Sequence, residues 1–184
     1  MARPVSNRVS HPVLWFIGVA AVIVSGVQAN FHYFTYWSFQ VFTANTLLTA
    51  AGLARPQFSW FAAFNAVFVM IGVFTMSILR SPDGSDMLTQ AAASEGLLLY
   101  TVGTFGVHYL PVCVALSVVP IPTKDDREGI EAALLNAISL FVVYCSFNDP
   151  SEVYGVPITP AIAFTTSIGF SIAVLAVLWA TGYR

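Results

Sequence analysis

Charge is what this chain has least of. Its 184 residues include 7 basic and 9 acidic side chains, 9% of the total, against 57% hydrophobic residues. Soluble domains carry about 25% charged and 45–50% apolar residues. So few charges cannot cover a globular surface, which argues against a soluble enzyme and against a disordered tail. The formal net charge of −2 leaves no basic footprint, so no nucleic-acid partner is expected. Lysine is nearly missing. Lys124 is the only one, in a predicted loop, and a retinal protein needs an intramembrane lysine for its Schiff base. No predicted span carries an arginine series for voltage sensing, and none holds a central Asp or Glu for proton pumping. Cysteine is scarce too. Cys113 and Cys145 both fall inside predicted spans and read as small buried hydrophobes, not as a disulfide. No Cys or His pair has zinc spacing, and no Gly-rich phosphate loop follows a strand. No cofactor or metal is expected, although a bound lipid is. No cleavable secretory signal is recognisable. The first twelve residues (two Arg, two Ser, no acid) resemble only a fragment of a mitochondrial leader.

What is present is long apolar sequence, punctuated by those few charges. Arg8 and Arg55 bracket 46 uncharged residues, Arg55 and Arg80 bracket 24, and Glu95 and Lys124 bracket 28. Glu131 and Asp149 bracket 17, and Glu152 and Arg184 bracket 31. A spanning helix needs roughly 20 apolar residues. The first gap holds two such helices with a turn near Gln28, Asn30 and His32, or else one bent helix. The others hold one each. The expected fold is therefore all-α, a polytopic membrane bundle of six transmembrane helices in one domain over 1–184. The expected spans are 12–29, 33–54, 57–79, 96–119, 126–147 and 157–182. Pro12 and Pro56 suit first helical turns, Thr123 with Asp126 reads as a capping box, and Pro111 should kink the fourth helix.

Six spans place both termini on one side. That side carries Arg3, Arg8, Arg55, Lys124, Arg127 and Arg184, and the other carries only Arg80. The positive-inside rule then puts the termini in the cytoplasm or an organelle matrix. An odd number of spans would scramble that split. The expected location is an organellar (mitochondrial) inner membrane or an endomembrane. Trp15, Trp60, Trp179 and Tyr183 fall near the basic face, and Tyr33, Tyr36, Trp37, Tyr144 and Tyr154 near the other, as interfacial belts do.

Polar groups at membrane depth are the functional candidates. His108 stands out because little else at depth can do acid–base work. It is a neutral, hydrogen-bonded structural histidine, a catalytic base, or a haem or metal ligand. His11 and His32 lie near opposite span ends, which makes a bis-histidine haem a poor fit. The second helix is rich in hydroxyls and amides: Thr35, Ser38, Gln40, Thr43, Asn45, Thr46 and Thr49. Such groups can bond neighbouring helices. One of them could instead be a nucleophile activated by His108. Asn45, Asn65, Asn136 and Asn148 could orient the base or stabilise an oxyanion.

Three segments carry a family resemblance. Phe31-His32-Tyr33-Phe34-Thr35-Tyr36-Trp37-Ser38 opens the second helix, His108 precedes Pro111 in the fourth, and Tyr144 to Pro157 leads into the last. This arrangement resembles the androgen-induced-gene membrane family and its six-helix bacterial relatives. The animal members are threonine hydrolases of fatty-acid esters of hydroxy fatty acids. The resemblance implies Thr35 as nucleophile and His108 as base. The spacing of three from His108 to Pro111 is shorter than in the animal enzymes. Depth arithmetic points elsewhere. With the fourth helix starting at 96, His108 lies about 18 Å down, Thr35 about 3–5 Å and Thr43 about 15 Å. Thr43 then matches His108 better.

Two functions follow. One is an accessory subunit of a larger membrane complex, for example in the mitochondrial inner membrane, with membrane lipids and other membrane subunits as partners. Short loops and small residues such as Ala20, Ala21, Ala50, Ala51, Gly103 and Gly106 favour it, and it stands slightly ahead. The other is an intramembrane threonine hydrolase of fatty-acid esters using Thr35 or Thr43 with His108. A small transporter or channel is third, without a half-repeat or charged midplane site.

Overall fold

A computed structural model describes residues 11–27, 31–79 and 105–154, with scattered positions between 164 and 178. All regular structure among the described residues is helical. The elements are α1 (His11–Val27), α2 (Phe34–Ala50), α3 (Pro56–Leu79), a π-helical turn (Phe105–Tyr109) running into α4 (Leu110–Val118), α5 (Arg127–Phe147) and a short α6 (Pro150–Tyr154). A 3-10 turn, Lys124–Asp126, leads into α5.

Local chemistry sets the boundaries. Tyr33 is extended (φ −97°, ψ 130°), so the first long uncharged stretch is not one bent helix. Gly52 takes φ 71° just past α2, and the Ala51 to Ala54 amides return to carbonyls of the last turn. That left-handed glycine closes the helix at little steric cost. Pro56 then opens α3 at a position whose amide would have no helical partner. The Thr123 capping box is present, with Thr123 N and Oγ1 both donating to Asp126 Oδ2 at 2.7 Å.

The helices alternate in direction. Leu14, Gly18 and Ser25 of α1 meet Ala50, Leu47 and Tyr36 of α2, an antiparallel pair. In α2, Phe34 lies beside Phe68 of α3, and Asn45 beside Ser59, so these two are antiparallel. Gly129 of α5 lies against Gln57 and Trp60, and Phe141 against Phe68, so α3 and α5 run parallel. Val112 and Ala115 of α4 pack on Ala63 and Ala66, while Val114 and Val118 pack near Phe42 and Ala50. Arg55, Lys124 and Arg127 therefore share one end of the bundle. A cluster of Phe34, Phe68, Phe141 and Tyr144 closes the other end, where the Tyr144 hydroxyl donates to the His32 carbonyl.

The hydroxyls of α2 serve the backbone more than neighbouring helices. Thr43, Thr46 and Thr49 each donate to the carbonyl four residues back, at 2.7–2.9 Å. Ser59 Oγ donating to Asn45 Oδ1 at 3.1 Å is the buried bond between helices.

Several expectations are revised. Among the described residues, only Arg127–Phe147 is a helix long and apolar enough to cross a membrane. The other apolar stretches, Pro12–Gly26, Pro56–Gly72 and Gly106–Val118, are shorter. Six spans are thus not established by helix length. Residues 96–104 and most of the 157–182 span lie outside the described residues. Pro111 does not kink a continuous α-helix. It sits in the first turn of α4, and the preceding turn is π-helical. A proline has no N–H for the carbonyl four residues back, here Val107, and its ring clashes there. A wider turn accommodates both. Cys113 is exposed in the isolated chain and Cys145 half-buried, so neither is a fully buried hydrophobe; neither forms a disulfide.

Close helix approach gives a stability prediction. A Cβ on Gly18 would fall 2.5 Å from Leu47 Cδ2. Gly18→Ala meets Leu47 Cγ at 2.9 Å as well, and the Leu47 side chain must swing aside to admit it. Gly18→Leu has no such escape, and overpacking of this kind costs about 1–3 kcal/mol. Thermal unfolding of the two purified variants in detergent should rank Gly18→Leu well below Gly18→Ala, and equal midpoints would refute the tight α1–α2 contact.

Candidate functional site

Thr35 and Ser38 are three residues apart in the first turns of α2, so they share one face with Phe39. Opposite them stand Ala66 and Val69 from α3. Val107, His108 and Pro111 come from the π turn and the start of α4. These eight residues line one small cavity of about 10 Å³, room for about one water molecule. The π turn is the local reason His108 is here. A wider turn shifts every side chain that follows it around the axis, and such turns recur at functional sites.

The polar groups of this cavity are held in apolar walls. Ser38 is 4% exposed, and among the described residues its hydroxyl finds no hydrogen-bond partner. His108 Nδ1 is likewise buried without one. Buried polar atoms are nearly always satisfied, so two orphans lining one cavity need an explanation. The chemistry available is an aliphatic hydroxyl beside an imidazole, the pairing that proton-assisted acyl transfer requires.

The structure brings Thr35 and His108 to one cavity and leaves Thr43 out. Thr43 lies two turns further along α2, buried, with its hydroxyl donating to Phe39 O at 2.7 Å. The depth arithmetic favoured Thr43 because it counted from residue 96. Packing sets a different register, with Thr35 level with His108 and Phe42 near Val114. The four asparagines do not reach this cavity either. Asn45 bonds Ser59, Asn65 Nδ2 donates to Phe61 O at 2.9 Å, Asn136 is exposed, and Asn148 caps α5. His32 lies in the turn before α2, with its carbonyl engaged by Tyr144. No group of His, Cys, Asp and Glu suited to a metal ion occurs among the described residues. Ser38 is one of seven polar candidates on the second helix that the sequence does not single out. Its signal was the three-residue spacing from Thr35, diluted by five other polar residues on the same helix.

Compared with protein-family models, curated proteins and solved structures, the chain matches none.

Proposed function

We propose that this chain is a multi-pass membrane protein that hydrolyses apolar esters within the bilayer, with Thr35 as nucleophile and His108 as general base. The observation that carries the reading is the single cavity lined by Thr35, Ser38 and His108. The resemblance to the androgen-induced-gene family designates the same threonine and histidine from sequence motifs alone. The membrane reading rests on the scarcity of charge, on helices that alternate in direction, and on large apolar side chains left exposed. Phe16, Ile23, Leu116, Leu135, Val142 and Phe147 are all more than half exposed. On a protein bathed in water such a surface would aggregate, whereas lipid is its natural solvent. Six spans, with the basic ends of α3 and α5 on the cytoplasmic or matrix side, remain the topology we favour. The host membrane is an organellar inner membrane, as in mitochondria, or an endomembrane.

The substrate is a long-chain ester that enters from the lipid. The cavity holds about one water, so binding an acyl chain requires the helices to part. Purified protein should hydrolyse a long-chain fluorogenic ester. His108→Ala should lose about 10²–10⁴-fold of that rate, the usual contribution of a general base, with unchanged helicity and melting. Retention of full activity by the variant sinks the assignment.

The tightness of the cavity favours a second reading, a non-catalytic accessory subunit of a larger membrane complex. In that reading Thr35, Ser38 and His108 only pack. Mild-detergent extraction followed by native electrophoresis separates the two. A monomer with esterase activity supports the hydrolase, and an inactive chain migrating with larger partners supports the subunit.

A further inference from the structure

We propose that the cavity between α2 and the π turn is the binding site of the hydrolytic water, with Ser38 as the residue that positions it. The inference rests on the hydrolase reading above and adds a residue and a step to it.

Two cavities of about the same size among the described residues differ in their walls. One is lined by Phe68, Ala137, Ile138, Phe141 and Phe170, and offers no polar side chain. The other is lined in part by Thr35, Ser38 and His108. A buried water needs both room for one probe sphere and two or more polar partners, and a cavity with apolar walls stays dry. Both cavities meet the first condition, at about 10 Å³. Only the cavity at His108 offers side-chain partners as well, two of them with no hydrogen bond among the described residues. Ser38 Oγ can donate to a water or accept from it, and the neutral imidazole can accept through Nδ1. One water bonded to both would satisfy the two orphaned atoms at once.

The chemistry gives that water a task. An ester hydrolase with a threonine nucleophile works in two halves. Thr35 Oγ1 gives its proton to His108 as it bonds to the ester carbonyl carbon; the bond from that carbon to the alkoxy oxygen then breaks, and His108 passes the proton to the departing alcohol, which leaves an acyl group on Thr35. The second half needs a water beside the same base. His108 Nδ1 removes a proton from the water as its oxygen bonds to the acyl carbonyl carbon. The bond to Thr35 Oγ1 then breaks, Oγ1 takes the proton back from His108, and the free fatty acid leaves. Ser38 contributes by holding the water oxygen in line. It touches neither the alcohol nor the first attack. Its removal should therefore slow deacylation and spare acylation.

Pre-steady-state kinetics on the full-length protein test this, with a 4-methylumbelliferyl long-chain ester as probe and intact-mass spectrometry as second readout. In Ser38→Ala the burst of released fluorophore should persist. The steady-state rate should fall about tenfold, the effect of one lost hydrogen bond to the water. An acyl adduct on Thr35 should accumulate. A merely structural role would lower burst and steady state together, and that result, or an unchanged steady state, overturns the proposal. Ser38→Cys, nearly isosteric, gives the same test if the alanine variant does not fold. A wild type that turns over no ester overturns the hydrolase reading and this inference with it. A wild type with both, beside a Ser38 variant with no adduct, overturns this inference alone.

Discussion

Thr35→Ala should abolish ester hydrolysis, while Thr43→Ala should keep it. The two threonines are the same residue type on the same helix, eight positions apart, so they form an internal control. On the proposed hydrolase reading, loss of the nucleophile leaves only background catalysis, and a fall of about 10³-fold or more is expected for Thr35→Ala. Its cost in stability should be small, because Thr35 lies in the first turn of α2 and lines a cavity. Thr43 has the opposite profile. Its hydroxyl is committed to Phe39 O within its own helix, and it is buried away from His108. Thr43→Ala should lower stability by about 1 kcal/mol and leave the rate near wild type. Hydrolysis assays and melting curves on both variants give the answer. The converse pattern, a dead Thr43→Ala beside an active Thr35→Ala, would restore the depth argument and remove Thr35 from the site.

The contrast between these threonines also shows what the sequence carried and what it did not. Helix identities were legible because charge is so scarce. Arg8, Arg55, Glu131 and Asp149 mark off stretches whose helical cores, His11–Val27, Phe34–Ala50, Pro56–Leu79 and Arg127–Phe147, lie within a few residues of expectation. Turn chemistry was legible where it is strictly local, as in the Thr123–Asp126 capping box. The register between helices was not. Composition says how deep a residue lies along its own helix, and only side-chain packing says which residue of another helix is level with it. The level of His108 depends on Val112 and Ala115 seating on Ala63 and Ala66, small against small. It also depends on a π turn that sequence periodicity does not announce. The hydroxyl ladder of α2 illustrates the same limit. Thr43, Thr46 and Thr49 read equally well as interhelical donors or as nucleophiles, and their hydroxyls turn back onto their own helix. Each bonds the carbonyl one turn back, which a helical threonine hydroxyl can reach without a partner helix.

Trp60→Ala should be the most destabilising single change in the described bundle. Trp60 is 2% exposed and packs with Phe64, Ile130, Ala133 and Ala137 where α3 meets α5. Gly129 is what admits it, since a Cβ there would stand 3.1 Å from the indole. On the membrane reading proposed above, the hydrophobic drive between helices is weak, and van der Waals packing carries the association. The indole is thus a large share of the α3–α5 contact, and its removal leaves a cavity the rigid backbones cannot close. Truncating a buried Trp costs about 3–5 kcal/mol in soluble cores. The indole also carries a second load. Its Nε1–H donates to Pro120 O at 3.0 Å, tethering the loop between α4 and α5 across 60 residues of sequence. Trp60→Phe separates the two contributions: it keeps most of the packing and loses the bond, for about 1 kcal/mol. Unfolding in mild detergent should place wild type, Trp60→Phe and Trp60→Ala in that order, with the wide gap between the last two. A wide gap between the first two instead would show that the tether to Pro120, and not the packing of α3 on α5, holds this end of the bundle together.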